Sequence, residues 1–173
     1  ETFSVTRNNL LHAHGLSFDL GDATVVNVLA VLDIADTHGE GQFFPDTYHY
    51  IRGDRASEVL VRAWERMHLQ LNNAWEQRDI DLPLKSPYDV LILASIIEKE
   101  SGMEGDRRKI SGVFSRRLKR GMRLQTDPAV IYGLGQTFDG NLTRAHLMKD
   151  GPYNTYTRSG LPPTPISAAG LTA

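Results

Sequence analysis

The 173-residue sequence contains no cysteine, which excludes a disulfide framework and any thiolate-bound metal site. Long apolar runs are also missing. The longest, Val25 to Ile34, is broken by Asn27 and Asp33 and is too short to cross a bilayer. No secretory leader pattern is present. Neither sign of charge dominates: 19 basic and 21 acidic residues leave a net charge of -2, which argues against a wholesale polyanion binder. There is no glycine-rich phosphate loop and no nucleophile-elbow context around Ser95, Ser101 or Ser111. The histidines are scattered. Only His12 and His14 are close, and a lone H-x-H is a weak metal signal. No metal and no cofactor is therefore expected. Internal repeats and low-complexity runs are absent too. What is present is 40% hydrophobic residues, enough for the core of one domain, or of one domain with an appendage.

The chain is organised around Leu91 to Ser101, LILASIIEKES. It starts apolar nearly all the way round, as a buried helix does, and ends in two carboxylates. If the helix runs through Glu100, that residue follows Leu93, Ile96 and Ile97 by seven, four and three positions. Those spacings place all four on one face. Glu98 lies about 200° away at ~100° per residue. A carboxylate at the edge of an apolar face loses solvation, which favours its protonated form. Glu100 is thus a candidate general acid. The alternative is that both glutamates are solvated helix-end residues with Lys99 between them.

Residues 1–23 are mixed and punctuated by glycine. Val25 to Ala35 is predicted as a short amphipathic helix with Thr24 as N-cap. Thr37 to Asp46, with Gly39, Gly41 and Pro45, is a loop leading to Phe43, Phe44, Tyr48 and Tyr50. Asp54 to Arg78 has a helical stripe of Leu60, Trp64, Met67, Leu71 and Trp75, which is core in character. Ser86, Pro87 and Asp89 predict the start of the organising helix, and Gly102 its end. Asp106 to Arg120 is a third helix with Ile110, Val113, Phe114 and Leu118 on its apolar face and Gly121 as its stop. Short helices are predicted from Asp127-Pro128 and over Thr143 to Met148, capped by Asp127 and Thr143. From Gly151 the sequence GPYNTYTRSGLPPTPISAAG is turn-rich and predicts an extended wall carrying Tyr153, Tyr156, Leu161 and Ile166.

Two constellations compete. Arg107 to Arg123 holds eight basic residues and no acid, which could grip phosphates. The other 156 residues carry 11 basic and 21 acidic groups, so this helix equally balances the charge of the fold, and nucleic acid is not the expected partner. The second constellation is one candidate acid, a polar turn at Gln125-Thr126-Asp127, and the wall of Tyr, Asn, Thr and Pro. Amides, hydroxyls and aromatic faces suit a sugar polymer, exchanging hydrogen bonds and stacking on pyranose rings. A packed surface loop would have the same composition.

ASIIEKES, RRL-x-x-GMRLQTDPAVIYG and GPYNTYTRSGLPPTPI, with EGQFFPDTYHY upstream, resemble the signature blocks of the YceG-like (MltG) endolytic murein transglycosylases. Four blocks in the family's order make the resemblance specific from about Glu40 to Ala169. Residues 1–39 match it poorly and are expected to be a remnant leading to a LysM-like subdomain. Residues 40–173 are expected to be the catalytic domain, truncated at its C-terminus. The resemblance places the catalytic glutamate, the second of the family's EKE, on Glu100. Glu100-Ser101 also resembles the Glu-Ser pair of soluble lytic transglycosylases. The resemblance implies cleavage of MurNAc-β-1,4-GlcNAc bonds within glycan strands, leaving 1,6-anhydro-MurNAc ends. By motif match it assigns Gln125, Thr126, Asp127, Tyr153, Asn154, Thr155 and Tyr156 to the cleft. It implies peptidoglycan strands and cell-wall synthases as partners. It also implies a single-pass inner-membrane protein whose catalytic part faces the periplasm, with the anchor outside these residues. A non-catalytic peptidoglycan-binding module is the rival within the same setting. The expected fold is α+β and helix-rich, a lysozyme-like helical core with extended segments lining a groove.

Overall fold

A computed structural model describes residues 2–34, 38–101 and 104–173. Its regular structure is helical: α1 (Thr2–Leu11), α2 (Val28–Val31), α3 (Ala56–Glu76), α4 (Pro87–Glu100), α5 (Arg107–Lys119), α6 (Asp127–Leu134) and α7 (Arg144–Met148). Single 3-10 turns occupy Glu104–Asp106 and Gly135–Thr137.

α4 begins as its sequence dictates. Ser86 Oγ accepts from the Asp89 amide at 3.2 Å, and Pro87 fills the first turn, where a missing N–H costs nothing. Leu91, Ile92, Leu93, Ser95, Ile96 and Ile97 are all buried. A helix apolar on every side needs neighbours on every side, and α3, α5 and α6 all pack against it. One core gathers Ile92, Leu93, Ile96 and Ile97 with Phe114 of α5, Leu124, Ala129 of α6 and Ile166. A second core joins Leu20, Val25, Val28, Leu29 and Phe43 to Ala56, Leu60 and Ala63 of α3. Met67 and Leu71 of α3 meet Leu91 of α4 and bridge the two. Each fully buried Leu or Ile contributes roughly 1.5–3 kcal/mol.

The expected α+β, lysozyme-like class is overturned. Among the described residues there is no sheet, and the β pairing is a single isolated bridge between Ser17 and Arg55. The segments expected to be extended satisfy their backbones in another way. The Ile166 amide donates to Ser95 Oγ at 3.0 Å, Ser167 Oγ donates to the Ser95 carbonyl at 3.0 Å, and the Gly170 amide donates to Glu98 Oε2 at 3.1 Å. A chain whose polar groups are met by a helix has no need of a neighbouring strand. Pro162, Pro163 and Pro165 also remove the N–H groups that a ladder would use.

Other expectations shift at their edges. The helix predicted over Val25 to Ala35 shrinks to α2. Asn27, not Thr24, holds the N-cap position, without a side-chain cap bond; its Oδ1 instead accepts from the Thr24 amide at 2.7 Å, and Asp33 sits at φ 57°. α1 lies where no helix is legible. Val113 is exposed, leaving Phe114 as the buried anchor of α5. Gly121, at φ 65°, does end α5. Gly102, the predicted stop of α4, lies outside the described residues.

The EGQ stretch docks on the C-terminal segment. Gly41 has φ 76°, and a Cβ there would stand 2.5 Å from Pro165 Cβ. Only glycine allows both that backbone and that approach.

Candidate active site

α4 ends at Glu100, with Ser101 turning out of the helix at φ -109° and ψ 111°. Glu100 is exposed, so the expected loss of solvation on the core face is not met. Glu98 is the more sheltered of the two. Its Oε1 pairs with Arg107 at 2.6 Å, and its Oε2 takes the Gly170 amide. Arg107 also donates to Thr172 Oγ1. Glu98 is thus consumed in tying α4, α5 and the C-terminal segment together. Among the described residues Glu100 makes no hydrogen bond or ion pair.

Glu100 does have an electrostatic neighbour. Burial, a hydrogen bond to Asp127, and the charges of Asp127 and Glu100 push the Tyr156 phenol up to about 12, with Arg117 acting in the opposite sense. Tyr156 donates its hydroxyl to Asp127 Oδ1 at 2.5 Å. An acid from α4, a carboxylate from the start of α6 and a phenol from the 150s loop therefore share one neighbourhood.

The turn before α6 completes it. Gln125 stands at φ 56°, a conformation that side chains other than glycine adopt only when surroundings enforce it. Its amide N–H donates to the Thr155 carbonyl at 3.1 Å. Arg117 donates to the Leu124 carbonyl at 2.7 Å, to Gln125 Oε1 at 3.0 Å and to the Arg123 carbonyl at 3.2 Å. With Oε1 occupied, the amide nitrogen of Gln125 is a donor with no partner among the described residues. It is exposed beside Asp127.

The YceG-like family model matches residues 4–173. The chain belongs to the YceG-like family. Two relatives are each named endolytic murein transglycosylase. The one from Bacillus subtilis is 40% identical over 136 residues, covering 78% of this chain and 37% of the relative. The one from Streptococcus pneumoniae is 31% identical over 139 residues, covering 78% of this chain and 25% of the relative. This YceG-like chain thus spans only about a third or a quarter of their length. The crystal structure of a YceG-like protein from Listeria monocytogenes matches with a TM-score of 0.67 at 28% identity, covering 99% of this chain and 56% of that one.

The YceG-like motif residues divide into two groups. Glu100, Gln125, Asp127 and Tyr156 are brought together with their polar groups at or near the surface. Thr126, Asn154 and Thr155 are buried and serve as struts. The Thr126 amide donates to Thr155 Oγ1 at 3.0 Å, which itself donates to the Thr126 carbonyl at 3.2 Å. Asn154 Nδ2 donates to the carbonyls of His146, Leu147 and Lys149, and its Oδ1 accepts from the Tyr156 amide. Tyr153 turns its hydroxyl to Thr164 at 2.7 Å and its ring edge to Tyr132. Arg117 was legible only as one charge of a basic helix. The signal for its role lay in the RRL-x-x-GMRLQTDP block, where it precedes the Gln125 turn by eight positions. Among the described residues no cluster of three or more His, Asp or Glu could hold a metal.

Proposed function

We propose that this chain carries the bond-cleaving part of an endolytic murein transglycosylase, with Glu100 as its acid and base. The observation that carries the reading is the contrast on α4. Glu98 is held by Arg107 and Gly170, while Glu100, two residues on, is exposed beside Tyr156 and Asp127. The relatives' names supply the substrate class.

In this reading Glu100 protonates the glycosidic oxygen as the C1–O bond breaks. The resulting carboxylate takes the proton of the muramoyl C6 hydroxyl as that oxygen attacks C1. The product is a 1,6-anhydro end, no water is consumed, and Glu100 is returned protonated. One carboxyl group serves both steps, unlike the pair used in ordinary glycoside hydrolysis. Gln125 supplies a donor to the sugar, and Asp127 fixes the Tyr156 hydroxyl at the cleft edge. We further propose that this cleavage acts in cell-wall assembly outside the cytoplasm and ends glycan strands alongside cell-wall synthases. An inner-membrane anchor would lie elsewhere in the protein; among the described residues no helix is long and apolar enough to cross a membrane.

The test is mass spectrometry of products from purified murein. Wild type releases 1,6-anhydro-muropeptides, and Glu100→Gln loses at least ~10²-fold of that activity, the contribution of general acid–base catalysis. Undiminished release by a Glu100→Gln chain with an unchanged circular dichroism spectrum would sink the assignment. Binding to murein with no cleavage by wild type would favour a glycan-binding module.

A further inference from the structure

A cavity of about 290 Å³ opens between α6, the 135–137 turn and α7. It lies toward the far end of α6 from Asp127. From Asp127 to Leu134 the helix rises about 10 Å at 1.5 Å per residue. Val130, Leu134, Pro152 and Tyr153 give it an apolar floor, with His146 and Lys149 on its rim. The rim is built. Asn154 Nδ2 ties the carbonyls of His146, Leu147 and Lys149 together. His146 Nδ1 accepts from the Thr143 amide at 3.3 Å, so a neutral ring carries its proton on Nε2, as a donor. The acid on the rim is already engaged. Asp150 takes two hydrogen bonds from Arg158 and one from Thr157, and Arg158 holds its carboxyl well below the usual carboxylate range. Lys149 is exposed and has no carboxylate partner among the described residues. The uncompensated charge at the mouth is therefore positive, above an apolar floor.

We infer that this cavity takes a short peptide of small apolar residues ending in a free carboxylate. That is the chemistry of the free D-alanyl end of the peptides that murein bears on its muramoyl sugars, so the inference rests on the murein reading above. The distance fits. About 10 Å is spanned by three extended residues at ~3.3–3.6 Å each, so in a peptide branching from a sugar beside Asp127 the inner residues cover that distance and the free end reaches the cavity. Lys149 and the His146 ring would meet the carboxylate, while Val130, Leu134 and Tyr153 would cover methyl groups.

The experiment titrates the chain with acetylated D-alanyl-D-alanine and with its C-terminal amide, read by NMR. Shifts confined to residues 130–137 and 146–154 are expected. The amide, and the Lys149→Glu variant with the free acid, should each bind roughly fivefold more weakly, as loss of an exposed charge pair implies. Thr137→Tyr, a change at an exposed lining position, should block the cavity with the fold unchanged by circular dichroism. In parallel, wild type should cleave peptide-bearing glycan faster than peptide-stripped glycan, and Lys149→Glu should remove that preference while still cleaving stripped glycan. No binding at the cavity, or equal affinity for acid and amide, overturns the inference. Cleavage of neither glycan would instead remove the transglycosylase reading, and the peptide titration would still decide the cavity.

Discussion

Glu98 and Glu100 differ by two positions on α4 and by everything that surrounds them. Glu98→Gln breaks the ion pair with Arg107, whose side chain is only 15% exposed, and weakens the anchor of Gly170. The expected cost is about 1–2 kcal/mol, since a sheltered cation loses its partner; thermal unfolding would report it, with cleavage of murein largely retained. A Glu98→Gln chain that is inactive but as stable as wild type would mean the wrong carboxylate has been chosen. Tyr156 offers a second residue-scale test. Its folded value of about 12 lies above the ordinary 10.0. It therefore contributes stability that is fully present below about pH 10 and is lost as pH rises through about 12. Ultraviolet titration of tyrosinate should show a step near pH 12 that Tyr156→Phe removes and Asp127→Asn moves down. A step unaffected by either change would show that the phenol and carboxylate are not coupled.

At the scale of elements, α3, α4, α5, α6 and α7 were all legible in the sequence. Strong periodicity, the Ser86-Pro87 start and the Thr143 cap are local signals, and local signals survive folding. The C-terminal segment was not legible as structure, because its partners lie about 70 positions away on α4. Its turn residues correctly excluded a helix but could not say that Ser95 and Glu98 would replace a neighbouring strand. The same limit applies to the site. The motif blocks named the residues, but only packing separates the exposed Glu100, Gln125 and Asp127 from the buried Thr126, Asn154 and Thr155. Asn154 shows the consequence. Its amide is spent on the end of α7, so Asn154→Ala should cost ~2–3 kcal/mol by leaving buried carbonyls unpaired, with activity falling in step with stability. Activity lost at an unchanged melting temperature would instead assign Asn154 to the substrate.

For the whole molecule, the docking of the EGQ stretch on the 165–167 segment is a long-range dependence. Gly41→Ala meets both a positive φ and Pro165 Cβ at 2.5 Å. It should destabilise by more than about 1 kcal/mol, seen as a lower urea midpoint. A midpoint unchanged from wild type would show that the two segments do not bear on each other. The basic helix makes a further prediction at this scale. Arg107 is spent on Glu98, and Arg117 on three backbone or amide oxygens, so α5 offers fewer free charges than its sequence suggests, and no tight DNA binding is expected. DNA affinity that is tight and falls steeply with salt, with a slope near -0.9 per phosphate contact, would contradict this. The contacts of Ser95 with Ile166 and of Glu98 with Gly170 join residues 71 and 72 positions apart. On a ribosome adding roughly 5–20 residues per second, the second partner follows the first by about 4–14 s. For that interval α4 is complete but its Ser95 face is uncovered. A nascent chain arrested between Glu100 and Ile166 should therefore expose the Ser95 face to chaperones and proteases, and protection should arrive only once residues 166–170 have been made.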